Sequence, residues 1–98
     1  MPFFVKTEII KKDFIINSEL KKKFIAKHIL WIKDLKKAGV NIKSGFLVNE
    51  VKEPGAGGLL IIEVKNFKDA LNIVLEDPLV KNKIVDWKLS EWVDISKE

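Results

Sequence analysis

Lys52-Glu53-Pro54-Gly55-Ala56-Gly57-Gly58-Leu59-Leu60-Ile61-Ile62-Glu63-Val64 is the stretch that decides how this chain of 98 residues folds. Residues 59–64 form an apolar run too short for a helix and suited to a strand with apolar neighbours on both faces. The Pro and Gly cluster within 52–58 reads as a turn. The run at 40–51 before it is β-like, with Gly45 at a natural bulge or point of close backbone approach. The centre of the chain is therefore a hairpin, or at least two neighbouring strands.

Outward from this hairpin the apolar period changes to that of a helix on both sides. Upstream, over residues 18–38, Leu20, Phe24, His28, Trp31 and Leu35 keep helical spacing with Ile25, Ile29 and Ile32 beside them. Ser18 stands at the N-cap, Glu19 in the first turn, and Gly39 offers the stop. Downstream, Asn66 caps a second helix with Asp69 three residues on; it reaches to about residue 76 with Ala70, Leu71, Val74 and Leu75 on its apolar face, and Pro78 follows. Farther out lie a strand over residues 3–10, where Lys6 and Glu8 alternate with apolar neighbours, and an amphipathic strand over 85–95 carrying Trp87. Residues 11–17, with Phe14-Ile15-Ile16, suit a strand extension, a flap or a partner contact equally.

The order is β, α, β, β, α, β. This is the ferredoxin-like arrangement of an α+β domain, in which two helices cover one face of a four-stranded antiparallel sheet. One domain over residues 1–98 is expected, because a chain of this length fits a single core. Strands apolar on both faces leave the uncovered face in need of an apolar partner. The simplest partner is a second copy, so a homodimer through the open sheet face is expected.

Composition narrows the function. All 18 basic residues are Lys, and the net charge is +4. Lysine lacks the planar fork of arginine that grips phosphates and bases, and residues 59–64 carry no aromatic platform for RNA, so no nucleic-acid partner is expected. The patch of Lys21, Lys22, Lys23, Lys27, Lys33, Lys36 and Lys37 reads as the solvated side of the first helix. No run approaches the roughly 20 apolar residues of a membrane span and the start lacks a cleavable leader, so the reading is a cytoplasmic protein without a membrane partner. The chain has no Cys and no Tyr. A single His with scattered carboxylates gives no metal-ligand spacing, and Pro54-Gly55-Ala56-Gly57-Gly58 sits between strands rather than before a helix, so neither metal nor cofactor is expected.

What remains for acid/base chemistry is His28, the only side chain of a type that titrates near neutral pH unaided, together with Glu76-Asp77 ahead of Pro78. A carboxylate holding that imidazole would fix its tautomer and equip it to move a proton. The residue pattern alone equally admits His28 as a satisfied core or interface histidine and Asp77 as the cap of a turn.

His28-Ile29-Leu30-Trp31-Ile32-Lys33-Asp34-Leu35-Lys36-Lys37-Ala38-Gly39, then Gly45, then Pro54-Gly55-Ala56-Gly57-Gly58 leading into a strand, then Phe67-Lys68-Asp69-Ala70 and Asp77-Pro78-Leu79-Val80 resemble the YCII-related domain family, from about residue 20 to the final strand with Trp92. The resemblance implies a dimeric α+β barrel of two ferredoxin-like subunits, a pocket between sheet and helices, and a His-Asp pair in a catalytic role, which fall here on His28 and Asp77. Some members of that family are dehydrochlorinases of hydroxyquinone-type aromatics. Two family positions differ: Ile25 stands where members often carry Arg, and Phe46 where a Pro often follows the glycine. An anionic substrate held by that Arg is thus not implied, unless Lys27 or Lys43 replaces it.

The reading is a small enzyme of lyase or isomerase type that moves a proton on a compact organic ligand, aromatic or lactone, with His28 as acid/base and Asp77 orienting it. Trp31, Phe46 and Trp87 are the expected lining of its substrate pocket. A non-catalytic dimeric ligand-binding or regulatory module, with His28 structural, is the alternative from another class. A muconolactone-isomerase-like enzyme is the second catalytic alternative, since fold analogy does not choose a substrate.

Overall fold

In the computed structural model, which describes residues 1–15 and 18–96, the elements run β1 (Phe3–Ile10), α1 (Lys12–Ile15), α2 (Ser18–Lys37), β2 (Asn41–Val48), β3 (Pro54–Glu63), α3 (Phe67–Val74), α4 (Pro78–Lys81) and β4 (Val85–Trp92). The four strands form one antiparallel sheet in the order β2-β3-β1-β4, so the expected ferredoxin-like α+β fold is the fold observed. Two single-turn helices, α1 and α4, add to the expected pair. α1 occupies part of the segment whose role was open, while residues 16 and 17, the side chains of Phe14 to Ser18, and with them the expected cap at Ser18, lie outside the described residues. Among the described residues no helix is long and apolar enough to cross a membrane.

The largest departure from expectation is the Gly-rich stretch. Instead of forming the turn, Pro54 to Gly58 opens β3, and the chain reverses through Asn49–Glu53, where the Asn49 side chain accepts hydrogen bonds from the backbone of Val51 and Glu53. The glycines serve close approach. Gly57 has φ +92°, and a Cβ there would stand 2.3 Å from the Glu8 carbonyl oxygen of β1. Composition marked a turn; the requirement was for bare backbone against a neighbouring strand. The other strand limit also moved, with β4 ending at Trp92 rather than continuing to residue 95.

The helix-side face of the sheet carries the core. Phe4, Ile42, Leu60 and Ile62 pack with Ile32 of α2 and Ala70 of α3, and a second cluster gathers Val74, Leu79, Val80, Ile84 and Val85. α2 turns His28 and Ile32 fully inward, with Phe24, Trp31 and Leu35 half-buried on the same stripe, while Lys22, Lys23, Lys27, Lys33, Lys36 and Lys37 are exposed. α3 begins as expected: the Asn66 side chain accepts from the Asp69 backbone N–H at 2.9 Å.

β1 is phased against the usual rule. Phe4, Lys6 and Glu8 point to the helices, whereas Val5, Thr7 and Ile9 face the uncovered side. That side also exposes Phe3, Leu47 and Trp92, with the Phe3 and Trp92 rings 6.3 Å apart.

Candidate functional site

The register of the sheet sets two rows of side chains beneath α2. Ser44, Leu60, Lys6 and Leu89 are paired across the four strands in one row; Phe46, Gly58, Glu8 and Trp87 form the next. His28 descends from α2 onto the first row, and Asp77, immediately before α4, meets it there. Lys6 comes from β1, His28 from α2, Ser44 from β2 and Asp77 from the α3–α4 connection, so only the folded sheet and its helices bring them together.

Asp77 is completely buried. Its Oδ1 accepts from His28 Nδ1 at 2.8 Å and from the Leu79 backbone N–H at 2.9 Å, and its Oδ2 accepts from Lys6 Nζ at 2.5 Å. The two readings of Asp77 that the sequence left open, cap of a turn and partner of His28, are therefore both realised by one oxygen. Lys6, also completely buried, makes a second ion pair to Glu8 Oε1 at 2.7 Å. A lone buried ammonium or carboxylate is costly; in this cluster each charge has an opposite charge in contact, which offsets the loss of water. Among the described residues every buried side-chain nitrogen and oxygen has a partner.

Burial is the strongest single influence on the Asp77 carboxyl and pushes it up, but the hydrogen bond from His28, the positive charge of Lys6 and that of His28 together outweigh it and hold the group below the ordinary carboxylate value. Asp77 is thus ionised at neutral pH and offers acceptors only. It follows that His28 carries its proton on Nδ1, and in the neutral ring Nε2 is left as an acceptor. Ser44 Oγ lies 2.8 Å from that Nε2 and donates its hydroxyl to it. With Lys6 at +1 and Glu8 and Asp77 at −1 each, the surrounding charges sum to −1, so a proton gained by His28 makes the cluster neutral.

The aromatic residues singled out from sequence divide. Trp31 touches His28, ring centroids 5.6 Å apart, and is half-buried against the core. Trp87 is half-buried beside Glu8 in the second row and borders a shallow depression of about 370 Å³ that Glu8 and Gly58 also line. Phe46 is 72% exposed and borders a second depression, about 250 Å³, together with Ser44, Gly45, Leu59 and Ile61. The second depression, lined largely by Lys43, Gly45, Leu47, Leu59 and Ile61, lies on the uncovered face opposite the row of Lys6 and His28, and the first spans both faces near Glu8 and Trp87, so neither is the expected pocket between sheet and helices.

Lys6, Glu8 and Ser44 escaped the sequence reading. Lys6 and Glu8 read as the polar half of an amphipathic strand, and the signal against this lies on their own face: Phe4 and Ile10, which alternate in phase with them, are as apolar as Val5 and Ile9 opposite. Ser44 had no signal of its own, since its meaning lies in the pairing of β2 with β3 that sets it under His28.

The profile of the YCII-related domain matches residues 3–93. Among solved structures, the chain is similar to the 5-chloro-2-hydroxyhydroquinone dehydrochlorinase of Burkholderia phenoliruptrix in complex with 2,5-dihydroxybenzoquinone, at a TM-score of 0.73 and 16% identity over 96% of each chain. It is also similar to the de novo designed protein Ferredog-Diesel, at a TM-score of 0.59 and 14% identity over 92% of this chain and 84% of that one. No curated protein matches by sequence. At these identities the structural likenesses establish the shared fold.

Proposed function

Since this chain belongs to the YCII-related domain family, we propose that it is a cytoplasmic enzyme of lyase or isomerase type in which His28 moves a proton on a compact organic substrate and Asp77 fixes the imidazole. The observation that carries the reading is the contact of His28 Nδ1 with a buried carboxylate that is itself held by Lys6 and the Leu79 amide. That arrangement leaves Nε2 as the one basic nitrogen, directed onto the helix-side face of the sheet at Ser44, with the exposed Phe46 two positions on along the same face of β2. A hydroxylated ring or a lactone is the substrate class: it is apolar enough for Trp31, Phe46 and Trp87, which stand on the His28 side of the sheet, and the dehydrochlorinase of similar fold acts on a ring of this kind.

Because His28 is the only histidine, its ring nitrogens give one ¹⁵N signal pair. The neutral ring is expected to show the proton on Nδ1. In a screen of hydroxylated aromatics and lactones, His28→Gln is expected to lower turnover by roughly 10²–10⁴-fold, the usual worth of a positioned acid/base, with the fold retained by circular dichroism. A proton on Nε2, or a variant that loses stability and nothing else, gives the site to a non-catalytic ligand-binding or regulatory module.

The same reading includes a homodimer through the open sheet face, supported by the exposure of Phe3, Ile9, Leu47 and Trp92 there. Sedimentation equilibrium is expected to return twice the 11.2 kDa of the chain. A single-chain mass across the micromolar range, or a dimer that Ile9→Lys fails to weaken, removes this part of the proposal.

A further inference from the structure

We propose that Ser44 is a nucleophile, and that this site also cleaves small activated esters through an Asp77–His28–Ser44 relay. The inference uses the His28–Asp77 pair of the proposed function but requires an atom which proton transfer alone does not: the Ser44 hydroxyl oxygen. Its geometry is that of an activated alcohol. Ser44 Oγ stands 2.8 Å from His28 Nε2, and His28 Nδ1 stands 2.8 Å from Asp77 Oδ1. Nucleophile and base are in hydrogen-bond reach and the base is oriented by a third group, which is the arrangement that nucleophilic catalysis by serine needs.

Burial is graded in the same direction. Asp77 is wholly enclosed, His28 is 8% exposed, and Ser44 belongs to the exposed residues of β2. The hydroxyl is therefore the member that an incoming carbonyl meets first. Phe46, two positions along β2 on the same face as Ser44 and 72% exposed, is its apolar neighbour. An acyl or aryl group of a few carbons can rest against that ring. β2 is an edge strand of the sheet, and edge strands present unpaired backbone N–H groups, the donor type that stabilises a developing oxyanion.

In the first step Oγ bonds to the ester carbonyl carbon as its proton passes to His28 Nε2. The tetrahedral adduct then collapses: the carbon–oxygen bond to the leaving alcohol breaks, and Nε2 returns the proton to that oxygen. Water repeats the sequence on the acyl-serine and releases a carboxylic acid and free Ser44. The transient imidazolium is offset by the −1 sum of Lys6, Glu8 and Asp77 around it. Aryl esters and compact lactones are the class predicted to react, because their leaving oxygens need least help.

An aryl fluorophosphonate tests this directly. Its phosphorus is attacked by an activated serine with loss of fluoride, and it discriminates against the 18 lysines, which ordinary activated esters would acylate. The full chain is expected to gain one adduct per molecule, located on Ser44 by peptide mass spectrometry. Labelling should vanish in Ser44→Ala and slow by about 100-fold or more in His28→Gln. No adduct, an adduct that persists in Ser44→Ala, or one spread over Ser90 and Ser96 overturns the inference. The ring tautomer and turnover on hydroxylated aromatics, read in Ser44→Ala, separate the two readings. If both survive in that variant while the wild type is never labelled, only the nucleophile fails; if the Nδ1 proton is absent in the wild type as well, the proton-transfer reading falls with it.

Discussion

Replacing Lys6 by Met is expected to destabilise the fold by about 3–5 kcal/mol, the usual cost of stripping one partner from a buried ion pair. Met matches the length and most of the volume of lysine, so packing against Leu60 and Leu89 in the same row is largely kept and the loss is electrostatic. Two carboxylates, Asp77 and Glu8, remain enclosed with their shared cation gone. A domain of this size holds about 5–15 kcal/mol in total, so the variant gives up a large part of its stability. In urea, where small domains lose roughly 1–3 kcal/mol per molar, the midpoint should fall by at least about 1 M. A triple variant, Lys6→Met with Glu8→Gln and Asp77→Asn, should regain much of the loss, because no charge is then stranded. A change below about 1 kcal/mol in the single variant would mean that the carboxylates find water or protons at little cost, and would falsify the account of the cluster as mutually dependent charges.

Asp77→Asn is the second large effect, about 2–3 kcal/mol at neutral pH; Glu8 still pairs with Lys6, which keeps the cost below that of the first variant. The amide oxygen can take over from Oδ1 toward His28 and Leu79, but its NH₂ then faces the Lys6 ammonium, donor against donor. The pH dependence carries its own sign. Asp77 is held below the ordinary carboxylate value in the folded protein, so the unfolded chain takes up this proton more readily. Its contribution is present in full above the unfolded carboxylate value, about 3.9, and is lost as pH falls through the lower folded value. The wild type should therefore be more stable than Asp77→Asn at neutral pH, with the gap closing below about pH 4. Parallel acid arms in chemical denaturation would show that the carboxylate is not selectively stabilised by folding.

The order of elements was open to reading because helices and strands announce themselves by local periodicity. The stripe Phe24, His28, Trp31, Ile32 and Leu35 and the cap at Asn66 needed no knowledge of the rest of the chain. The site was legible only in part, since its members are defined by register. His28 and Asp77 could be named by residue type and family resemblance, yet their 49-residue separation says nothing about contact. Lys6 looked like a solvent-facing strand residue until Phe4, two positions before it, fixed which face is inside. Gly57 and Gly58 looked like a turn because glycine is commonest there; their actual role, to let β3 lie against Glu8, depends on a strand about fifty residues earlier.

Asp77 joins Lys6, 71 residues back, to His28, 49 residues back, while starting α4 by its contact with Leu79. Closing loops of that length costs chain entropy before any contact repays it, and β1 holds its place between β3 and β4, which come from the middle and the end of the chain. The chemistry thus depends on long-range closures that no single helix or hairpin supplies. A nascent or partly unfolded chain has no orientated imidazole to offer, and competence at His28 is in itself a certificate that the whole topology has formed.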